Sequence, residues 1–125
     1  MTAKKIGVWI LQIVLGGFFV LAGGTKLAGS EEIVKGFQAW GFSEVFLFFI
    51  GAAEALGGFA LLFPPVSTLS AMGLMVIMVG AAYTHLSNGD GISATMPATI
   101  LFFLLTLLSY LRWDSLGRFL TMKKK

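Results

Sequence analysis

The sequence predicts an all-α integral membrane protein, a four-helix up-down bundle with a short amphipathic interfacial helix between spans 1 and 2. Composition is the first reason. Of 125 residues, 57% are hydrophobic and 12% charged, with a mean hydropathy of +0.89, whereas a soluble domain carries about 25% charged residues. Four apolar runs are the second reason, each close to the ~20 residues that cross a hydrocarbon core. Short connections are the third, because they make consecutive helices antiparallel neighbours. One membrane domain, residues 1–125, accommodates all four spans.

The first span covers about 6–27 and is interrupted only by Gln12 and a set of glycines. A basic start before an apolar stretch also suits a secretory signal. The length of this run, Lys26 embedded near its end and the retained Met1 favour a span instead. In the segment at about 30–40, Ser30 is placed to cap a helix, with Glu31 and Glu32 in the first turn, where the helix dipole favours them. Ile33, Val34, Phe37 and Trp40 recur at helical spacing and Gly41 closes the run, the pattern of a short helix lying at the interface. Two readings stay open for it: a connector anchored by Trp40, or a lid over a site.

The second span, about 44–63, stops at Pro64-Pro65, and the third, about 66–87, ends at the turn Asn88-Gly89-Asp90-Gly91. The fourth, about 96–111, begins near Met96-Pro97, with proline in the first helical turn. A basic tail, 112–125, follows.

The net charge of +3 and the pI near 9.5 suggest nucleic acid only superficially, because the excess sits in the terminal segments. Lys4, Lys5, Lys123, Lys124 and Lys125 flank apolar spans, as residues facing a membrane surface do. The expected partner is therefore the lipid bilayer and not nucleic acid; other membrane proteins or a second copy of the chain stay open. With an even number of spans, both termini share one side. That side carries Lys4, Lys5, Arg112, Arg118 and the three terminal lysines, and the other only Lys26 and Lys35. The positive-inside rule then places both termini in the cytoplasm of a multi-pass cell (plasma) membrane protein.

The absence of cysteine removes disulfides, CxxC redox motifs, thiolate catalysis and iron–sulfur ligation. One histidine is too few for a bis-histidine haem within one chain, and no ligand cluster suggests zinc or copper, so no metal is expected. No catalytic residue is assigned.

Three ionisable residues sit in or at the edge of the apolar spans: Lys26, Glu54 and His85. Such groups cost at least ~2.5 kcal/mol in hydrocarbon, so they face a protein interior or a watery cavity. Each falls on a stripe that lipid would not select. Gln12, Gly16, Phe19, Gly23 and Lys26 form one, and Gly51, Glu54 and Gly58 a second. Gly73, Ile77, Ala81 and His85 form a third, with Gly80 beside it, and Thr99, Phe102, Thr106 and Ser109 a fourth. Small residues let backbones approach and hydroxyls supply hydrogen bonds inside a bundle.

By the helical rise, Glu54 lies ~15 Å below the outer surface, with a vertical gap of ~10 Å to Lys26. A downward-reaching lysine, water or a ligand head group would bridge it. Lys26, Glu54 and His85 are the candidates for ligand binding or proton exchange; Gln12, Phe19, Phe37, Trp40, Tyr83 and Thr84 are the candidate pocket lining. The alternative is structural: Glu54 fixes helix register, His85 is an ordinary interfacial histidine, and the glycines serve packing.

An ordered set of motifs carries a resemblance. Gly23-Gly24-Thr25-Lys26-Leu27 closes the first span, and Trp40-Gly41-Phe42 ends the connector. Glu54-Ala55-Leu56-Gly57-Gly58 lies in the second span, and Ala81-Ala82-Tyr83-Thr84-His85-Leu86 closes the third. Together they resemble the DoxX family, in particular its DoxX-like branch of short four-span membrane proteins, over about residues 10–90. The resemblance implies a four-helix membrane bundle with Lys26, Glu54 and His85 as its matching polar positions. For function it implies an accessory subunit of a membrane redox or detoxification system, binding a quinone or another lipid-like ligand in the outer half of the bundle. Its alternative is a non-enzymatic membrane chaperone or assembly protein. A minimal transporter is disfavoured, since paired broken helices and internal repeats are missing.

Overall fold

The computed structural model describes residues 2–123, with side chains to residue 121. Six helices follow in order: α1 Ala3–Ala28, α2 Glu31–Ala39, α3 Glu44–Leu61, α4 Pro64–Ser87, α5 Ile92–Leu111 and α6 Trp113–Lys123. Of these, α1, α3, α4 and α5 are long and apolar enough to cross a membrane. Their starts follow local chemistry. The hydroxyls of Thr2, Ser30 and Ser43 accept backbone N–H groups of the first turns of α1, α2 and α3, satisfying donors that a helix start leaves unpaired. α4 opens on Pro64-Pro65, where a missing N–H costs nothing.

One expectation needs correction and another is extended. α5 begins at Ile92 rather than near Met96, so Pro97 lies inside the helix and not in its first turn. Thr95 and Thr99 donate their hydroxyls back to the carbonyls of Gly91 and Thr95, at 3.0 and 3.1 Å, which suits a helical backbone around the proline. The tail, in turn, is not featureless. Trp113, Leu116 and Leu120 recur every three or four residues, and α6 folds back on α4 with Leu116 buried. Lys124 and Lys125 lie outside the described residues.

α1 runs along α3 and α4 along α5, and α3 meets α4 more sparingly. Small residues decide the first contact. A Cβ at Gly23 would collide with the backbone of Gly51 and Ala55, and one at Gly58 would lie 2.7 Å from the Gly16 carbonyl oxygen and Val20 nitrogen. The first two stripes therefore meet face to face, as close backbone approach requires. The third behaves differently. Gly73 and Gly80 have nothing within 4 Å, while α4 turns Ser67, Thr68, Ala71, Leu74 and Met78 inward, with Leu74 filling the space beside Gly57. A leucine packed against an α3 glycine gives more contact than apposed glycines, and this sets the rotation of α4.

Leu15, Phe19, Leu61, Leu74, Leu105 and Leu108 form the centre of the core. Outside it, Leu21, Leu56 and Val76 are each at least 70% exposed. Aqueous surroundings would penalise that surface by ~25 cal/mol per Å², whereas lipid does not. At the end of the bundle that carries both termini, a buried polar chain ties four segments together. Arg112 Nε donates to Gln12 Oε1 at 2.7 Å, Gln12 Nε2 donates to Ser67 Oγ at 3.2 Å, and Ser67 Oγ donates to the carbonyls of Leu61 and Phe63. The Arg112 guanidinium also lies 4.8 Å over the Trp9 ring. Burial first, and then Arg118, pull its pKa down from the usual guanidinium value, yet an arginine keeps its charge.

Candidate functional site

The opposite end of the bundle, where α2 sits, is shaped by two helix terminations of one type. At the end of α2, Gly41 takes a positive φ of 88°, its N–H bonds the Gln38 carbonyl, and the Phe42 N–H bonds the Phe37 carbonyl. At the end of α4, Gly89 takes φ 71°, its N–H bonds Leu86, and the Asp90 N–H bonds the His85 carbonyl. Both are Schellman motifs, which bring the residue after the glycine back over the last turn. In the first, that residue is Phe42, whose ring lies 6.0 Å from Phe37. In the second it is Asp90, and the contact is polar: His85 Nδ1 lies 3.0 Å from Asp90 Oδ2.

Trp40 completes this cluster. Its indole N–H donates to the same Asp90 oxygen at 3.0 Å, and its ring meets that of His85 edge-on, with centroids 5.0 Å apart. Deeper in, Lys26 Nζ stands 2.7 Å from Glu54 Oε1. The Glu54 side chain is 4% exposed and that of Lys26 22%. Among the described residues no other donor reaches this buried oxygen.

The expected gap of ~10 Å between these two groups is closed because α3 starts beyond the end of α1. A Cβ on Gly51 would lie 2.9 Å from the Lys26 Cβ, so Lys26 is level with Gly51. Glu54 is then only about one helical turn deeper.

Between the α1–α3 and α4–α5 pairs, at the α2 end, lies a cavity of about 700 Å³. Its walls are mainly apolar: Phe18 and Ala22 from α1, Phe46, Phe49 and Ile50 from α3, Ile77 and Ala81 from α4, Pro97 and Leu101 from α5. Phe37, Trp40 and Phe42 come in from the α2 segment. The polar groups at its surface belong to Lys26, Glu54, Trp40, Tyr83, Thr84 and His85. Phe49, Val76 and Tyr83 line it while each is at least 67% exposed, so the wall is incomplete on that side.

Lys26, Glu54 and His85 thus all border one cavity, together with Phe37, Trp40, Tyr83 and Thr84. They do not form one network: Lys26 pairs with Glu54, and His85 with Asp90. Gln12 and Phe19 do not line it. Gln12 is fully buried in the polar chain at the other end, and Phe19 is fully buried in the core. Gln12 lies too far along α1, whereas Phe19 turns toward Gly58 of α3, and the cavity-lining face of α1 is that of Phe18, Ala22 and Lys26. Asp90 was missed because Asn88-Gly89-Asp90-Gly91 reads as a turn. The available signal was a carboxylate five residues after a histidine, one position past a helix-ending glycine. Among the described residues no group of three or more His, Cys, Asp or Glu could hold a metal ion.

Four membrane-length helices packed around an apolar cavity with a buried ion pair define a small multi-pass membrane protein that lives in a lipid bilayer. The profile of the DoxX-like family matches residues 10–108, and the chain belongs to that family. No curated protein matches it.

Proposed function

We propose that the chain is a ligand-binding membrane subunit that holds a lipophilic molecule with polar ring oxygens, of the quinone kind, in this cavity. One observation carries the reading. An apolar space large enough for a substituted ring is bordered by a buried carboxylate whose partner among the described residues is the Lys26 ammonium, itself part of the cavity wall. Ligand sites combine such apolar walls with a few placed polar groups. Lys26 is the donor for a ring oxygen, the aromatic rings of Phe37, Trp40 and Phe46 cover the ring faces, and α2 acts as a lid. With no cysteine in the chain, any electrons would travel on the ligand to a partner protein, which fits an accessory role in membrane redox or detoxification chemistry. The excess of Lys and Arg at the end with both termini favours a cytoplasmic location for that end in the plasma membrane.

The alternative, an assembly or chaperone-like role, draws no support from Gly16, Gly23, Gly51 and Gly58, whose faces are occupied within the chain. The test is titration of a short-tailed quinone, oxidised and reduced, into protein in lipid nanodiscs, read by tryptophan quenching. Saturable one-to-one binding, weakened by Ala81→Phe in the cavity wall and by Glu54→Gln, is the expected result. Binding of neither form sinks the reading.

A further inference from the structure

Asp90 has no role in the reading above, although its carboxylate is returned to the cavity rim by the turn that ends α4. One of its oxygens, Oδ2, accepts from the Trp40 indole N–H and lies 3.0 Å from His85 Nδ1. An ionised carboxylate can only accept. In its neutral form the imidazole would therefore carry its hydrogen on Nδ1, and its other nitrogen, Nε2, would present a lone pair. The partner on one ring nitrogen sets what the other can do. No described residue donates to Nε2, and the ring forms part of the cavity wall. The edge-on contact with Trp40, at an interplanar angle of 87°, restrains the ring in this orientation.

We propose that His85, oriented by Asp90, is a hydrogen-bond acceptor for a hydroxyl on the cavity ligand, so that the ligand class is a ring hydroxyl compound, a phenol or hydroquinone. This rests on the reading that the cavity holds a lipophilic ring, and it narrows that reading to the hydroxyl-bearing form. The two ends of the site then differ. The Lys26 ammonium only donates, and a carbonyl, ether or hydroxyl oxygen would satisfy it. Nε2 only accepts, and of these groups only the hydroxyl satisfies it. A hydroquinone meets both demands, whereas its dimethyl ether keeps the ring, the tail and the acceptor oxygens but has nothing to donate. Asp90 is a positioning residue here, acting through the tautomer of His85.

The probes are a decyl-substituted hydroquinone and its dimethyl ether, titrated against the full chain in lipid nanodiscs. Because the chain has one histidine, nitrogen NMR of isotope-labelled histidine reads this ring alone. The expected spectrum is that of the Nδ1–H tautomer, with the Nε2 signal moving when the hydroquinone binds. The hydroquinone should bind about tenfold or more tightly than the ether, the scale of one buried acceptor left unpaired. Asp90→Ala should mix the tautomers and cut that preference to about threefold or less. If this variant does not fold, the tautomer and the probe pair in the parent protein still decide. An Nε2–H tautomer or a doubly protonated ring overturns the inference. Equal affinity for the two probes overturns it while leaving the lipophilic cavity intact, and binding of neither removes both.

Discussion

Replacing Lys26 with methionine keeps most of the aliphatic stem and removes the charge, which isolates the ion pair. Lys26 Nζ lies 2.7 Å from Glu54 Oε1. At that separation and an effective dielectric of ~20, the Coulomb attraction is ~6 kcal/mol, and desolvation of the two ions offsets much of it. The two ends of the pair are unequal. Glu54, at 4% exposure, has no described partner besides the ammonium, so Lys26→Met strands a buried carboxylate at a cost of ~3–5 kcal/mol. Lys26, at 22% exposure, lies near the α2 end of α1. After Glu54→Gln it can swing its ammonium toward the interface, so that variant costs only ~1–2 kcal/mol.

The double variant should be no less stable than Lys26→Met alone, giving a coupling of at least ~1–2 kcal/mol. The assay is reversible unfolding in mixed micelles with rising dodecyl sulfate fraction, followed by helical circular dichroism. Equal costs for the two single variants, adding within ~0.5 kcal/mol in the double, would refute this argument.

Two further outcomes follow from the packing and the lid. Gly23→Ala pushes a methyl group into the backbone of α3 and should cost ~1–3 kcal/mol in the same unfolding assay, whereas Gly17→Ala meets nothing within 4 Å and should be neutral or stabilise by up to ~1 kcal/mol. Trp40→Phe keeps a ring at the cavity but loses the hydrogen bond to Asp90. Amide exchange along α2 should quicken by about fivefold, matching ~1 kcal/mol, with the α1–α3 contact unchanged; unchanged exchange in α2 would mean that Phe37, Phe42 and Phe46 hold it without that bond.

The four spans and the inward aim of Lys26 and Glu54 were legible because helical period and hydrophobicity are local properties. Depth along the bundle was not. How far α3 overhangs α1 depends on how the chain turns through α2 and on which glycines interlock, and this placed Lys26 level with Gly51 and Gln12 at the far end. The rotation of α4 was only partly legible: Ile77, Ala81 and His85 do face the cavity, but Leu74 packs against Gly57 while Gly73 meets nothing within 4 Å. Asp90 escaped notice because a turn signal says where the chain reverses, not what the reversal delivers. α6 was hard to read because polar and charged residues interrupt the spacing of Trp113, Leu116 and Leu120.

The gap in the cavity wall at Phe49, Val76 and Tyr83 has a consequence for how occupancy is set. A site that opens sideways into hydrocarbon is in equilibrium with molecules already dissolved in the membrane, so the relevant concentration is a mole fraction in lipid. Partitioning concentrates an apolar compound there, each buried methylene adding ~0.8 kcal/mol. A weak intrinsic contact therefore suffices for saturation in a thin membrane phase, and the apparent affinity in aqueous units falls as lipid or detergent is added at fixed ligand. Tail length would then tune delivery to the site, while the ring oxygens alone decide what stays.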